Sequence, residues 1–91
     1  MKYRLVFTHA YTRRAARFLK RHPDLPGRYR KTLQLLELNP FHPSLRLHKL
    51  KGPLDGLHSV SIDVSYRITI EFLIEGNTII PVDIGSHDDI Y

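Results

Sequence analysis

Two histidines, one arginine and a terminal tyrosine are the residues of this sequence whose side chains best suit phosphodiester chemistry. Arg67 is the only lysine or arginine after Lys51, and the chain ends in GSHDDIY, which contains His87 and Tyr91. His48 lies in a stretch with several prolines and glycines. Cleavage of RNA by its own 2′-hydroxyl needs a base, an acid and a cation for the charge that develops on phosphorus. Histidine suits the proton transfers, arginine suits the phosphate, and tyrosine can stack on an unpaired base.

Each of these residues also has a structural alternative. Arg67 could pair across a sheet with Asp63 or Glu71, and such cross-strand ion pairs are common. Histidines in loops and near chain ends are often solvated side chains without a catalytic role. In an extended strand Tyr66 points to the same face as Ile68, so it fits a position in the core or at its rim as well as it fits base stacking. The sequence leaves both interpretations open.

Other chemistries fit the sequence less well. The six histidines form no HxH or HExxH pair and the chain has no cysteine, so we expect neither a metal nor another cofactor. A GxSxG nucleophile motif is also missing. The absence of cysteine excludes disulfides and favours a reducing compartment, and the first apolar stretch is too short for a signal peptide or a membrane span. We therefore expect a soluble cytoplasmic protein with no membrane partner.

Positive charge is concentrated in the first part of the chain. Up to Lys51 there are thirteen lysines and arginines against two acidic residues, a net charge of +11. From Gly52 onward one arginine stands against seven acidic residues, a net charge of −6. This asymmetry indicates a surface that faces a polyanion, next to an acidic region.

Apolar patterning predicts one strand and two helices before the first long irregular stretch. The run YRLVF, from Tyr3 to Phe7, is short and rich in β-formers, and Thr8 can cap a helix that follows. An apolar stripe predicts that this helix runs to His22; the stripe consists of Tyr11, Ala15, Phe18 and Leu19. A second helix is predicted between Asp24, a possible cap, and Asn39; its stripe consists of Tyr29, Leu33 and Leu36.

Period-2 alternation predicts three antiparallel strands after an irregular stretch from Phe41 to Leu57, which contains one short extended piece around LRLHKL. The strands are SVSIDVS, YRITIEFLI and TIIPVDIG, with a hairpin turn at EGN. The residues predicted to face inward are Val60, Ile62, Val64, Ile68, Ile70, Phe72, Ile80, Val82 and Ile84. Pro81 has no amide hydrogen. Its strand must therefore lie at an edge of the sheet, or the neighbouring strand on that side must not need a hydrogen bond from Pro81.

These elements predict one α+β domain over residues 1–91. The N-terminal strand is followed by a helical hairpin and three antiparallel strands, and the helices pack on one face of a four-stranded, mainly antiparallel sheet. The other face should stay polar and carry Ser61, Asp63, Ser65, Arg67, Thr69 and Asp83. If the last strand remains extended, the alternation through Ile79, Pro81, Asp83 and Gly85 places His87 on this face. The loop residues His48, Lys49 and Lys51 could close one side.

The element order and several short motifs together resemble the RelE/ParE superfamily of bacterial type II toxins, and more closely its RelE/YafQ-like branch. The motifs are the basic helical hairpin, HKLKGPLDGLHSVSIDVSYRITIEF and the ending IGSHDDIY. The resemblance extends from Tyr3 to Tyr91. It implies a ribosome-dependent, metal-independent endoribonuclease that cleaves translated mRNA in the cytoplasm. It also implies a cognate antitoxin protein as partner, through which the toxin could reach operator DNA.

The resemblance further implies roles for individual residues. His48, Arg67, His87 and Tyr91 match the positions that contribute to the catalytic site in YafQ-like members. Contacts to RNA are expected from the following residues: Lys49, Lys51, Tyr66, Arg13 and Arg17. Which histidine acts as acid and which as base stays open.

The chain departs from the YafQ-like pattern at two strand positions. Ser61 and Ser65 stand where these toxins carry a further histidine and an acidic residue. His58 lies three residues earlier and, by alternation, faces the apolar side. Two other functions therefore remain open: a ParE-like inhibitor of DNA gyrase, or a catalytically weak relic that only holds an antitoxin.

Overall fold

The computed structural model describes residues 2–73 and 76–86, and it has two helices on a five-stranded sheet. The helices are α1 (His9–Arg21) and α2 (Pro26–Leu38). The strands are β1 (Arg4–Leu5), β2 (His48–Lys49), β3 (His58–Ser61), β4 (Tyr66–Leu73) and β5 (Thr78–Ser86). Two short 3-10 turns, Pro43–Leu45 and Gly52–Leu54, flank β2. The predicted α+β architecture is thus confirmed.

The sheet has the strand order β1-β5-β4-β3-β2. β1 is parallel to β5, and the other neighbours are antiparallel. The predicted sheet of four strands lacks β2, which is the short extended piece in LRLHKL. In the structure His48 pairs with Ser59 and Lys49 with His58, and this pairing makes β2 a fifth, edge strand.

Helix α1 forms as the sequence predicts. The Thr8 hydroxyl accepts a hydrogen bond from the amide of Tyr11 at 3.1 Å, which satisfies one of the free amides at the helix start. Tyr11, Ala15 and Phe18 are buried against the sheet, and Leu19 packs at the border of the core. This apolar stripe leaves the arginines and lysines of the helix on its outer surface.

Helix α2 differs from its predicted start. Its first flanking residue is Leu25, which is buried and provides no side-chain cap, so the predicted cap at Asp24 is wrong. Pro26 in the first turn needs no amide partner there, which is why the helix tolerates it. The inner face buries Leu36 completely and Thr32 almost completely, and the helix ends at Asn39 as predicted.

Strand β5 contains a bulge that reverses part of the predicted alternation. Thr69 of β4 pairs with Asp83, but the next residue, Ile70, pairs with Pro81, so Val82 is an extra residue on β5. Ile79 and Pro81 therefore lie in the core, and Ile80 and Val82 are only partly buried. The predicted inward positions of Ile80 and Val82 are wrong, whereas Ile84 is buried as predicted. β1 ends opposite Ile79, so Pro81 borders β4 alone, as its missing amide hydrogen requires.

The connection between β3 and β4 is a tight turn. The Asp63 carboxylate accepts the amides of Ser65 at 2.8 Å and Tyr66 at 2.9 Å, as short polar side chains do in turns. Val64 is consequently 88% exposed, and its predicted inward position is wrong. Ser65 lies in the turn as well, outside the strand face on which it was predicted.

His58 lies on the helix-packed face of β3, where its ring contacts Phe72 at a centroid distance of 5.7 Å. Burial, together with the charges of Lys49 and His48, lowers its pKa. The unfolded chain therefore binds a proton at a pH at which folded His58 does not. The resulting stability is present above the ordinary histidine pKa of ~6.5 and is lost as the pH falls through the lowered folded pKa.

We expect the His58→Gln variant to lose less stability than the parent protein between about pH 7.5 and about pH 5, because glutamine does not titrate there. Urea unfolding of both proteins at the two pH values measures the difference. An equal decrease in the free energy of unfolding would show that His58 contributes nothing to the acid sensitivity.

Candidate active site

The face of the sheet opposite the helices carries two rows of polar side chains. Residues that pair directly across strands point to the same face. In the first row His48, Ser59, Thr69 and Asp83 are successive partners on β2, β3, β4 and β5. In the second row Arg67 lies between Ser61 and Gly85. The predicted polar face thus exists, and the strand register brings Arg67 and Asp83 onto it.

Arg67 is held by a neutral partner rather than by an acid. Its Nη1 donates a hydrogen bond to the Ser61 hydroxyl at 3.0 Å. Asp63, one proposed ion-pair partner, is instead 3.2 Å from Arg28 and also caps the β3–β4 turn. Within residues 2–73 and 76–86 no carboxylate lies at ion-pair distance from Arg67. Among the described residues its positive charge is therefore not neutralised by a carboxylate.

Two buried hydroxyls lie in the row of the sheet next to that of Arg67. The hydroxyls of Ser59 and Thr69 face each other across β3 and β4, and these residues are 0% and 1% exposed. Neither hydroxyl has a hydrogen-bond partner among the described residues, and the same holds for Arg67 Nε. Leaving a buried polar group without a partner costs roughly 1–3 kcal/mol, so these groups call for a partner such as water, a ligand or a residue outside the described ones.

A groove of about 410 Å³ opens beside Arg67. Its wall is formed by Pro43, Ser44, Arg46, Ser61, Asp63, Val64 and Arg67. Arg46 follows the first 3-10 turn in a left-handed conformation, with φ of 50°, which is uncommon for a residue with a side chain. Arg46 was not among the predicted site residues. Two arginines therefore line the groove, one from the sheet and one from the loop before β2, together with the acidic residue Asp63.

His48 has one ring nitrogen fixed by the backbone. Its Nδ1 lies 2.9 Å from the carbonyl oxygen of Arg46. A carbonyl can only accept, so Nδ1 carries the proton and the neutral ring presents the lone pair of Nε2. His48 is exposed and belongs to the edge strand, two strands from Arg67. Neighbouring strands are ~4.8 Å apart, so the two backbones are separated by roughly 10 Å or more.

Tyr66 lies on the opposite face from Arg67. Its ring meets Phe18 at 5.3 Å and His22 at 4.8 Å, both edge to face, under the C-terminal end of α1. This placement favours the core or rim alternative over base stacking on the polar face. Lys49 also points to the helix side, as the partner of His58, although it is exposed, and Lys51 is exposed before the second 3-10 turn.

His87 and Tyr91 lie outside the described residues, so their predicted roles stay predictions. The described part of β5 ends at Ser86, which pairs with Tyr66. Arg13 is exposed on α1, and Arg17 lines a separate groove at the edge of β5.

The described part of the chain has neither a cluster of metal ligands nor a membrane-spanning helix. No group of three or more histidine, aspartate or glutamate side chains there could hold a metal ion. Neither helix has the length and apolar character that crossing a membrane requires.

The fold is that of known bacterial toxins, although the sequence is distant from theirs. No family model matches the chain, and no curated protein matches it in sequence. A chain of the E. coli DinJ-YafQ toxin-antitoxin complex superposes with a TM-score of 0.77 at 16% identity, over 100% of this chain and 99% of that one. A YoeB/ParE toxin from Agrobacterium tumefaciens superposes with a TM-score of 0.71 at 19% identity, over 92% of this chain and 98% of that one. A chain of the RelBE2 toxin-antitoxin complex from Mycobacterium tuberculosis gives 0.63 at 19% identity, over 96% and 100%.

These similarities confirm the RelE/YafQ-like fold predicted from the motifs. At such identities a shared fold does not by itself transfer an activity, because one fold supports several functions. The function must therefore be argued from the site.

Proposed function

We propose that the chain is the toxin of a type II toxin–antitoxin pair, a metal-independent endoribonuclease that cleaves translated mRNA on the ribosome. The observation that carries this proposal is Arg67. Its guanidinium donates to the Ser61 hydroxyl at a groove that Arg46 also lines, and it has no acidic partner among the described residues. Such a cluster is complementary to a phosphodiester and to the extra charge of its transition state.

The proposed reaction is transfer of the phosphate to the neighbouring 2′-hydroxyl. His48 Nε2 removes the proton of the 2′-hydroxyl, the 2′-oxygen forms a bond to phosphorus, and the bond to the 5′-oxygen breaks. The leaving 5′-oxygen takes a proton from His87, and Tyr91 positions a base or assists as a second acid. Arg67 holds the phosphoryl oxygens throughout. The hydrogen bond from His48 Nδ1 to the Arg46 carbonyl supports the base role, because it leaves Nε2 as the acceptor.

Ser61 takes a positioning role in this proposal. YafQ-like toxins carry a histidine at this strand position, whereas here the serine hydroxyl accepts from Arg67. The proton transfers then rest on His48 and His87 alone. This arrangement uses fewer acid–base groups than the YafQ-like pattern and relies more heavily on the cationic groove.

The proposed partners follow from charge and from the fold. A basic segment with a net charge of +11 up to Lys51 suits rRNA and mRNA, with Lys49, Lys51, Arg13 and Arg17 as contacts. The matching chains from E. coli and M. tuberculosis come from toxin–antitoxin complexes. We infer a cognate antitoxin with an acidic segment for this chain, and contact with operator DNA through that antitoxin. A cytoplasmic location belongs to the same proposal.

Addition of the purified chain to a translating extract tests the proposal. We expect new 5′ ends within translated mRNA, detected by primer extension, and none in the same mRNA when initiation is blocked. A parallel assay of gyrase supercoiling should be unaffected. Inhibited supercoiling with intact mRNA would instead identify a gyrase inhibitor, and no effect in either assay would identify a protein that only binds its antitoxin.

A further inference from the structure

A second basic groove lies along α1, at the edge of β5. Its volume is about 500 Å³. We call it the α1 groove; it is lined by Arg14, Arg17, Phe18, Arg21, His22, Asp83 and Ile84. None of the residues assigned to the catalytic steps belongs to it.

Three arginines give the α1 groove its charge. Arg14, Arg17 and Arg21 are spaced three and four residues apart, which places them on one side of the helix. Arg14 Nη1 donates to the Val82 carbonyl at 2.9 Å, so the β5 bulge anchors the first of them. The one carboxylate in the groove, that of Asp83, accepts the amide of Ile84 at 2.9 Å. Three guanidinium groups therefore oppose a single carboxylate that is already hydrogen-bonded.

His22 forms the end of the α1 groove in a fixed orientation. Its Nδ1 lies 2.8 Å from the Phe18 carbonyl, so this nitrogen carries the proton and donates. The ring packs 4.2 Å from Phe18 and 4.8 Å from Tyr66, measured between centroids. These contacts hold the ring in place, and no described residue gives Nε2 a hydrogen-bond partner. The groove thus combines guanidinium groups with a held aromatic nitrogen, which is a combination suited to a nucleotide.

The α1 groove adjoins the polar face of the sheet. Asp83 lines the groove and is also the partner of Thr69 in the first polar row. Gly85, two residues further along β5, is the partner of Arg67. Because adjacent strands are ~4.8 Å apart, the β5 backbone at the groove lies about one strand from the backbone of Arg67, whose side chain points to the face away from α1.

We propose that the α1 groove binds the sugar–phosphate backbone of a single RNA strand, next to the phosphate that Arg67 holds. The proposal rests on the proposed endoribonuclease function and adds a second contact region to it. Arginine binds phosphate through a planar fork that stays charged, and a row of arginines can follow a backbone without reading its sequence. The shared strand β5, whose Asp83 lines the groove and whose Gly85 pairs with Arg67, favours RNA over an acidic protein as the occupant.

The test compares two double variants that remove the same charge. Arg17→Gln with Arg21→Gln removes two cations from the α1 groove, whereas Lys20→Gln with Arg30→Gln removes two exposed cations outside it. The probe is a fluorescein-labelled, 2′-O-methylated single strand of about 12 nucleotides, a length within the range that such grooves bind. It cannot be cleaved through a 2′-hydroxyl, so anisotropy reports binding alone.

We expect the groove variant to bind the probe at least tenfold more weakly, and the control variant to change by less than threefold. A plot of log affinity against log salt concentration should become shallower by roughly 1.4 for the groove variant, because each of the two lost phosphate contacts contributes about 0.7 to the slope. An equal loss of affinity for the probe in both variants, or no loss in either, would overturn the proposal. A glutamate peptide of equal charge that competes as strongly as RNA would assign the groove to an acidic protein instead.

The outcome is separable from that of the proposed function. Binding of the probe needs no ribosome and no catalytic step. If the chain binds the probe but does not cleave mRNA, the endoribonuclease proposal is refuted and RNA binding by the α1 groove stands. If the groove variant still cleaves mRNA and binds the probe as the parent does, RNA binding by the α1 groove is refuted and the endoribonuclease proposal stands.

Discussion

Replacement of Arg67 by alanine is expected to reduce mRNA cleavage by about 10²–10³-fold, the usual cost of removing one group that stabilises transition-state charge. The loss should be large because the described residues place no second cation on the same row of the sheet. Arg46 shares the groove but extends from a loop, so it cannot take over the position of Arg67. The measurement is the rate of appearance of cut mRNA in a translating extract.

Two controls make this experiment specific. Arg30→Ala removes an exposed arginine of α2 and should leave cleavage near the parent rate. Arg67→Lys keeps the charge but loses the planar fork, so it should fall between the parent and the alanine variant. Full cleavage by Arg67→Ala, with circular dichroism unchanged, would mean that the phosphate lies elsewhere.

The location of Arg67 was predictable because β3 and β4 are regular. From Ser59 to Ser61 and from Arg67 to Phe72 polar and apolar residues alternate, so the face of each of these side chains follows from its position. The same rule fails in β5, because four consecutive residues there are apolar: Ile79, Ile80, Pro81 and Val82. Such a run fits either face, and the choice is made by the bulge against β4 rather than by the local sequence.

The remaining features of the site depend on tertiary contacts that no local pattern records. Arg46 reaches the groove through a left-handed residue after a 3-10 turn, and nothing in PSLRL marks that conformation. His22 looks like a solvated residue at a helix end, yet Phe18 and Tyr66 hold its ring. Arg14, Arg17 and Arg21 share a helix face beside the predicted apolar stripe, so the sequence alone indicates a basic ridge next to the sheet edge.

Replacement of His48 by glutamine is expected to reduce cleavage by about 10²–10⁴-fold, the usual contribution of a general base. Glutamine is polar and of similar reach, so it can still donate to the Arg46 carbonyl, but it cannot accept and pass on a proton at Nε2. His48 is exposed on an edge strand, and the fold should therefore be unaffected. His9→Gln, a change at an exposed histidine of α1, serves as the matched control.

The pH dependence distinguishes a lost base from a lost contact. If His48 removes the 2′-hydroxyl proton, the parent rate must show the rising pH limb of a general base, and this rising limb must be missing in His48→Gln. A variant that is slower but keeps the same rising limb would show that His48 only positions RNA. The proton would then be taken by another group, and the neutral Nε2 beside Arg46 would be a binding contact at the rim of the Arg67 groove.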